Sequence, residues 1–128
     1  MNNDTEIETF RVKVEKATEI KDGVYPITLE KVTLQTGNKF GDTLVWYVSV
    51  KTDAGTIRMS ALSGASLTVS ATGTSKAYAW VKAILGKVPV IGEDFSFEVL
   101  KGKEAKGIIK NETKDGRTYA KLKDILPK

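Results

Sequence analysis

Apolar and polar residues alternate along most of this chain, and a helical period interrupts them once. Between Thr43 and Thr52, Leu44, Trp46, Val48 and Val50 fill one set of alternate positions, and Val45, Tyr47, Ser49 and Lys51 fill the other. Successive strand side chains point to opposite faces, so this pattern predicts a half-buried strand. Asp53-Ala54-Gly55 predicts a tight turn into a partner strand over Thr56–Leu62, where Ile57, Met59 and Ala61 alternate with Thr56, Arg58 and Ser60. Upstream, Val24–Leu34 is rich in β-branched and aromatic residues, and Pro26 places its early part at an edge, a bulge or the strand start. Phe10, Val12 and Val14 alternate with Arg11, Lys13 and Glu15, which suggests an extra N-terminal strand before the Asp22-Gly23 turn. Residues 1–9 read as a tail, and residues 10–128 as a single domain.

The period changes after a small, polar connection from Gly64 to Gly73. Ala77, Trp80, Val81, Ile84 and Leu85 recur at helical spacing, with Thr74 or Ser75 available as N-cap and Gly86 at the stop position. Tyr78 and Lys82 fall off that apolar stripe, and Trp80 falls on it, which assigns Trp80 to the core. Val88–Leu100 is a connection. A strand then opens at Gly102-Lys103 and runs to about Asn111, and Asp115-Gly116 turns it into a strand over Thr118–Ile125. In that last strand Thr118, Ala120 and Leu122 share one face, and Tyr119, Lys121 and Lys123 the other.

Three strands, a connection holding one helix, then a two-stranded hairpin is the element order of the OB-fold. The expected fold is therefore mainly β: a five-stranded OB-fold-like Greek-key barrel, with one α-helix between strands three and four and an extra N-terminal strand. Strand glycines such as Gly107 suit the bends of a small barrel. A small β-sandwich or an SH3-like barrel would use the same elements.

Composition narrows the chemistry. The chain has 128 residues, 41% hydrophobic and 28% charged, which fits one globular domain with a real core. No apolar run reaches the roughly 18 residues that span a bilayer, and the acidic, polar N-terminus does not read as a secretory signal. There are no cysteines, which excludes disulfides and thiolate metal sites and fits a cytoplasmic setting. There are no histidines either, which removes the commonest general base and metal ligand. No paired carboxylates stand out. The expectation is a binding protein without catalytic residues, metal or cofactor. The net charge of +4 is unevenly spread: residues 101–128 carry nine basic and four acidic residues, against five and seven in residues 1–35. A basic C-terminal stretch is an electrostatic footprint for phosphate, and it is also compatible with plain solubility.

OB-folds bind ligands across strands two and three, between the loop joining strands one and two and the loop joining strands four and five. Those loops here are TGNKFGD and NETKDGR. One outward surface would then carry Lys39, Phe40, Tyr47, Lys51, Arg58, Lys114, Arg117, Tyr119 and Lys121. Aromatic platforms in a positive groove are how sequence-tolerant single-strand binders work. The competing readings are an ordinary solvated sheet face for the lysines and a lid on the core for Phe40.

The segments GVYPITLEKV, NKFGDTLVWYVSV, KAYAWVKAILG, GKEAKGIIKN and YAKLKDILP together resemble small OB-fold single-stranded DNA-binding-like proteins of bacteriophages and bacteria. The resemblance spans most of residues 23–127. It implies binding of single-stranded DNA in replication or recombination, in the host cytoplasm if phage-encoded, with Lys39, Phe40, Tyr47 and Tyr119 as contacts. The chain departs from the best-known bacterial members by ending in KDILPK, where those carry an acidic tail. RNA is a close variant as partner, a homo-oligomer is open, and no membrane is expected. The alternative function is a protein-interaction or virion-assembly β domain without nucleic-acid binding.

Overall fold

The alternating segments form the strands they predict, and their faces set the architecture. The computed structural model describes residues 20–37, 39 and 41–128, so the expected tail over 1–9 and the strand around Phe10–Val14 lie outside the described residues. The main strands are β1 (Gly23–Gln35), β2 (Thr43–Thr52), β3 (Gly55–Gly64), β6 (Glu104–Lys114) and β7 (Arg117–Leu126). Between β3 and β6 lie a two-residue pair, β4 (Val69–Ser70) and β5 (Gly73–Thr74), then helix α1 (Lys76–Leu85) and a 3-10 turn over Phe97–Leu100.

The five main strands make one sheet in the order β3-β2-β1-β6-β7, with antiparallel neighbours throughout. β6 returns by the long helical connection to lie beside β1, which is Greek-key connectivity. β1 is the shared strand. Residues Gly23–Thr28 pair with β6, and the stretch from Ile27 to Gln35 pairs with β2. Pro26, which lacks an N–H, therefore sits where β1 has one neighbour, as an edge-tolerant residue should. The end strands β3 and β7 approach to within 8 Å between Cα atoms, but no ladder joins them. The expected barrel is thus not closed; the described residues form a curled five-stranded antiparallel sheet carrying one helix.

The inner face holds the core. Ile27, Leu29, Trp46, Val48, Val50, Ile109, Leu122 and Ile125 from the sheet are buried with Trp80, Val81 and Ile84 of α1 and with Leu100. The Trp46 indole stacks edge-on against Trp80 at 5.3 Å and Phe97 at 5.8 Å between ring centres. Both indole N–H groups are satisfied: Trp46 Nε1 donates to Ser63 Oγ, and Trp80 Nε1 donates to Asp124 Oδ1, each at 2.8 Å. The second bond ties α1 to β7.

The helix ends follow the capping residues. Ser75 Oγ accepts the Tyr78 N–H at 3.2 Å, and Gly86, with φ of 79°, closes the helix by donating to the Lys82 carbonyl. Tyr78 departs from the expected stripe and is buried, because the segments flanking the helix line a crevice with it, Leu67 from before α1 and Val90 and Phe95 from after it.

Candidate nucleic-acid interface

Parity along the strands decides which side chains leave the core. On β2, Tyr47, Ser49 and Lys51 point outward opposite Ser60, Arg58 and Thr56 of β3. On β1 the apolar positions are Ile27 and Leu29, then Val32 and Leu34. That change of phase marks a bulge: the ladder passes from Leu29↔Val48 to Lys31↔Tyr47 and leaves Glu30 without a partner position. The bulge turns Lys31 outward, beside Tyr47. Its signal in the sequence is apolar spacing that skips a residue at Glu30.

An open depression of about 410 Å³ lies on this face, lined by Glu30, Lys31, Tyr47, Arg58 and Ser60 together with Val48 and Met59. Lys31 Nζ stands 5.0 Å from the centre of the half-buried Tyr47 ring, a cation–π distance. Arg58 Nε lies 3.5 Å from Glu30 Oε2, and the same oxygen accepts from Ser49 Oγ. Two cations, one carboxylate and one ring therefore converge on the outer face of β1-β2-β3. Lys51 is exposed on the same outer side of β2, opposite Thr56.

The second group lies on the β6–β7 hairpin. Asp115 and Gly116 both have positive φ, 53° and 76°, the mirror-image turn that Asp-Gly favours. It sets Lys114 directly opposite Arg117. Tyr119, 43% exposed, faces Glu112, and Lys121 faces Lys110. Between Glu104 and Lys123 six basic residues outnumber three acidic ones. Glu112 offsets part of that charge. Its carboxylate takes Lys121 at 3.7 Å and a shorter contact from Lys123. The Lys123 hydrogen bond, ahead of the nearby Lys121 charge, holds the Glu112 carboxyl below its ordinary pKa. Lys121, expected as an open phosphate contact, is already ion-paired.

The alternation in β7 also ends sooner than the sequence suggests. Ile108 pairs with Asp124 and Ile109 with Leu122, so Lys123 is the bulged residue and both Leu122 and Ile125 face inward. The hairpin is anchored partway along β6 by Asn111, whose backbone N–H and side-chain amide donate to Asp22 Oδ1 at 2.7 and 2.9 Å.

Of the nine expected contact residues, Tyr47 and Arg58 share the depression, with Lys51 on the same side of the sheet. Lys114, Arg117, Tyr119 and Lys121 share the hairpin. β1 separates these groups as the common strand of the two wings. Lys39 is exposed in the β1–β2 loop, and Phe40 lies outside the described residues. Lys31, Glu30 and Lys110 join the two groups although the strand patterns do not single them out.

Away from this face, Val88, Val90, Ile91 and Val99 are exposed in the connection after α1. Among the described residues no group of acidic side chains could hold a metal ion, and no helix is long and apolar enough to cross a membrane. No family model matches the chain, and no curated protein matches it.

Proposed function

We propose that this protein is an OB-fold-type module that binds single-stranded DNA without strict sequence preference, and that it is not an enzyme. The observation that carries the reading is the depression on the outer face of β1-β2-β3, where the Tyr47 ring stands beside Lys31 and Arg58. That is the strand face OB-folds use for oligonucleotides, and the Greek-key strand order supports the assignment although no ladder closes the sheet. A base stacks on Tyr47 and the flanking cations meet its phosphates. The basic hairpin, with Tyr119 and the Lys114–Arg117 pair, extends the path along the sheet's other wing. A role in replication or recombination follows the resemblance of the chain to phage and bacterial single-strand binders. RNA is the nearest alternative ligand, since stacking and phosphate contacts do not require the deoxyribose.

The rival reading, a protein-interaction domain, draws on the exposed Val88, Val90, Ile91 and Val99. Fluorescence anisotropy with labelled oligo-dT, its RNA counterpart and a duplex of equal length tests the proposal. Tighter binding to the single strand than to the duplex is expected. Failure to bind any of the three at low salt would return the protein to the rival reading.

A further inference from the structure

A carboxylate in the middle of a phosphate-binding surface is electrostatically wrong unless it has a job. Glu30 is such a residue. It occupies the β1 bulge, where it has no cross-strand partner position, and its side chain reaches onto the outer face of β2 and β3. There it is fixed rather than free. Ser49 Oγ donates to Oε2, and Arg58 Nε lies 3.5 Å from that same oxygen. Both contacts fall on one oxygen of the carboxylate, and the side chain keeps 32% exposure. The result is a pre-oriented acceptor offered to the depression that Tyr47 and Lys31 line.

We infer that Glu30 reads the base that stacks on Tyr47, favouring bases with an exocyclic amino group, and cytosine over thymine in particular. The inference rests on the single-strand reading and gives it a base preference at one position. Three observations converge. The depression, about 410 Å³, is within the range of roughly 300–1,000 Å³ typical of small-ligand clefts. The ring that would stack the base is the register partner of Lys31, the residue next to Glu30. A carboxylate oxygen accepts from the N4 amino group of cytosine, whereas thymine presents its O4 acceptor at the same edge position and is repelled. Arg58, held by Glu30, is steered to one side and kept for the adjoining phosphate. A surface built for phosphate alone would gain affinity by losing Glu30; a surface that discriminates bases needs it.

The test compares oligo-dC with oligo-dT, two pyrimidine strands, by fluorescence anisotropy at mildly alkaline pH where cytosine is unprotonated. Wild-type protein should bind oligo-dC about tenfold more tightly, as one charge-assisted hydrogen bond allows. Glu30→Gln should bring the two affinities together, because the amide donates to thymine O4 as readily as it accepts from cytosine. Ser49→Ala, which loosens the carboxylate without removing its charge, should lower the ratio in part, and it decides the matter if Glu30→Gln does not fold. Equal wild-type affinity for the two strands, or a preference unchanged by these variants, overturns the role of Glu30 while leaving single-strand binding intact. Binding to neither strand overturns the single-strand reading and this inference with it.

Discussion

Replacing Trp80 by alanine should cost about 3–5 kcal/mol of stability while leaving the binding face untouched. The indole is 1% exposed, between the sheet and the body of α1. A tryptophan buries about 150–250 Å², which at about 25 cal/mol per Å² is worth ~4–6 kcal/mol of transfer free energy. Alanine retains a fraction of that. The edge-on contact with Trp46 at 5.3 Å adds about 0.5–1.5 kcal/mol beyond area, and the bond to Asp124 about 1 kcal/mol. Partial collapse of the cavity brings the sum back into the range seen for large-to-small core changes. A domain of this kind holds about 5–15 kcal/mol in total, so the variant stands near the edge of folding. Trp80→Phe keeps an aromatic ring in the core but gives up the N–H to Asp124 and the bulk of the second ring, so it should cost less than alanine, about 1–3 kcal/mol. Urea denaturation read by the remaining Trp46 measures both variants, with an unchanged slope expected. Should Trp80→Ala keep its wild-type midpoint and lose nucleic-acid affinity instead, α1 is not a core helix and the assignment of its face is wrong.

Gly107→Ala should destabilise by about 1–3 kcal/mol, because an added Cβ would stand 2.8 Å from Leu122 Cδ1 and 2.9 Å from Ile27 Cγ2; a denaturation midpoint equal to wild type would refute the tight packing there. Tyr47→Ala and Tyr119→Ala should each weaken single-strand binding by about 1–3 kcal/mol with little change in salt slope, whereas Arg117→Ala should make the slope shallower by about 0.7. Lys121→Ala should alter the slope less than Arg117→Ala, because Glu112 already holds that lysine; equal effects would argue against the pairing. Asp22 is held below its ordinary pKa by the Asn111 backbone N–H first and its side-chain amide second. A depressed folded-state pKa stabilises above the unfolded value and the gain disappears as pH falls through the folded one, so loss is expected below about pH 4. Asp22→Asn should flatten the acid limb of a stability–pH curve; an unchanged limb would show that the anchor does not couple to folding.

Most of the framework is legible in the sequence. β2 runs from Thr43 to Thr52 as its alternation predicts, Ser75 and Gly86 bound α1, and Asp115-Gly116 makes the hairpin turn. These are local signals, each set by side-chain parity, a cap or a positive φ. The features that strand and helix patterns miss depend on residues far apart in the chain. Tyr78 lies off the helical stripe yet is buried, because its cover comes from the connections on both sides of α1. The clean alternation of β7 fails at the Lys123 bulge, which the register against β6 imposes. The charges look open in the sequence, but Glu112 and Glu30 engage Lys121, Lys123 and Arg58 across strands. Lys31 is recoverable, since the skipped apolar position at Glu30 announces the bulge that turns it outward. Element order predicts a closed barrel where the structure has an open sheet, because closure depends on a β3–β7 ladder that strand patterns do not encode.

The most direct test of single-strand binding is a salt titration of affinity for oligo-dT beside a duplex of the same length. Counterion release from several phosphate contacts predicts a linear fall of log K with log salt, about 0.7 per contact on the single strand. Stacking on Tyr47 and Tyr119 predicts that the single strand stays the tighter ligand at every salt concentration where binding is measurable. Equal affinity for both would reduce the interaction to charge attraction, and absence of binding at low salt would contradict the account altogether.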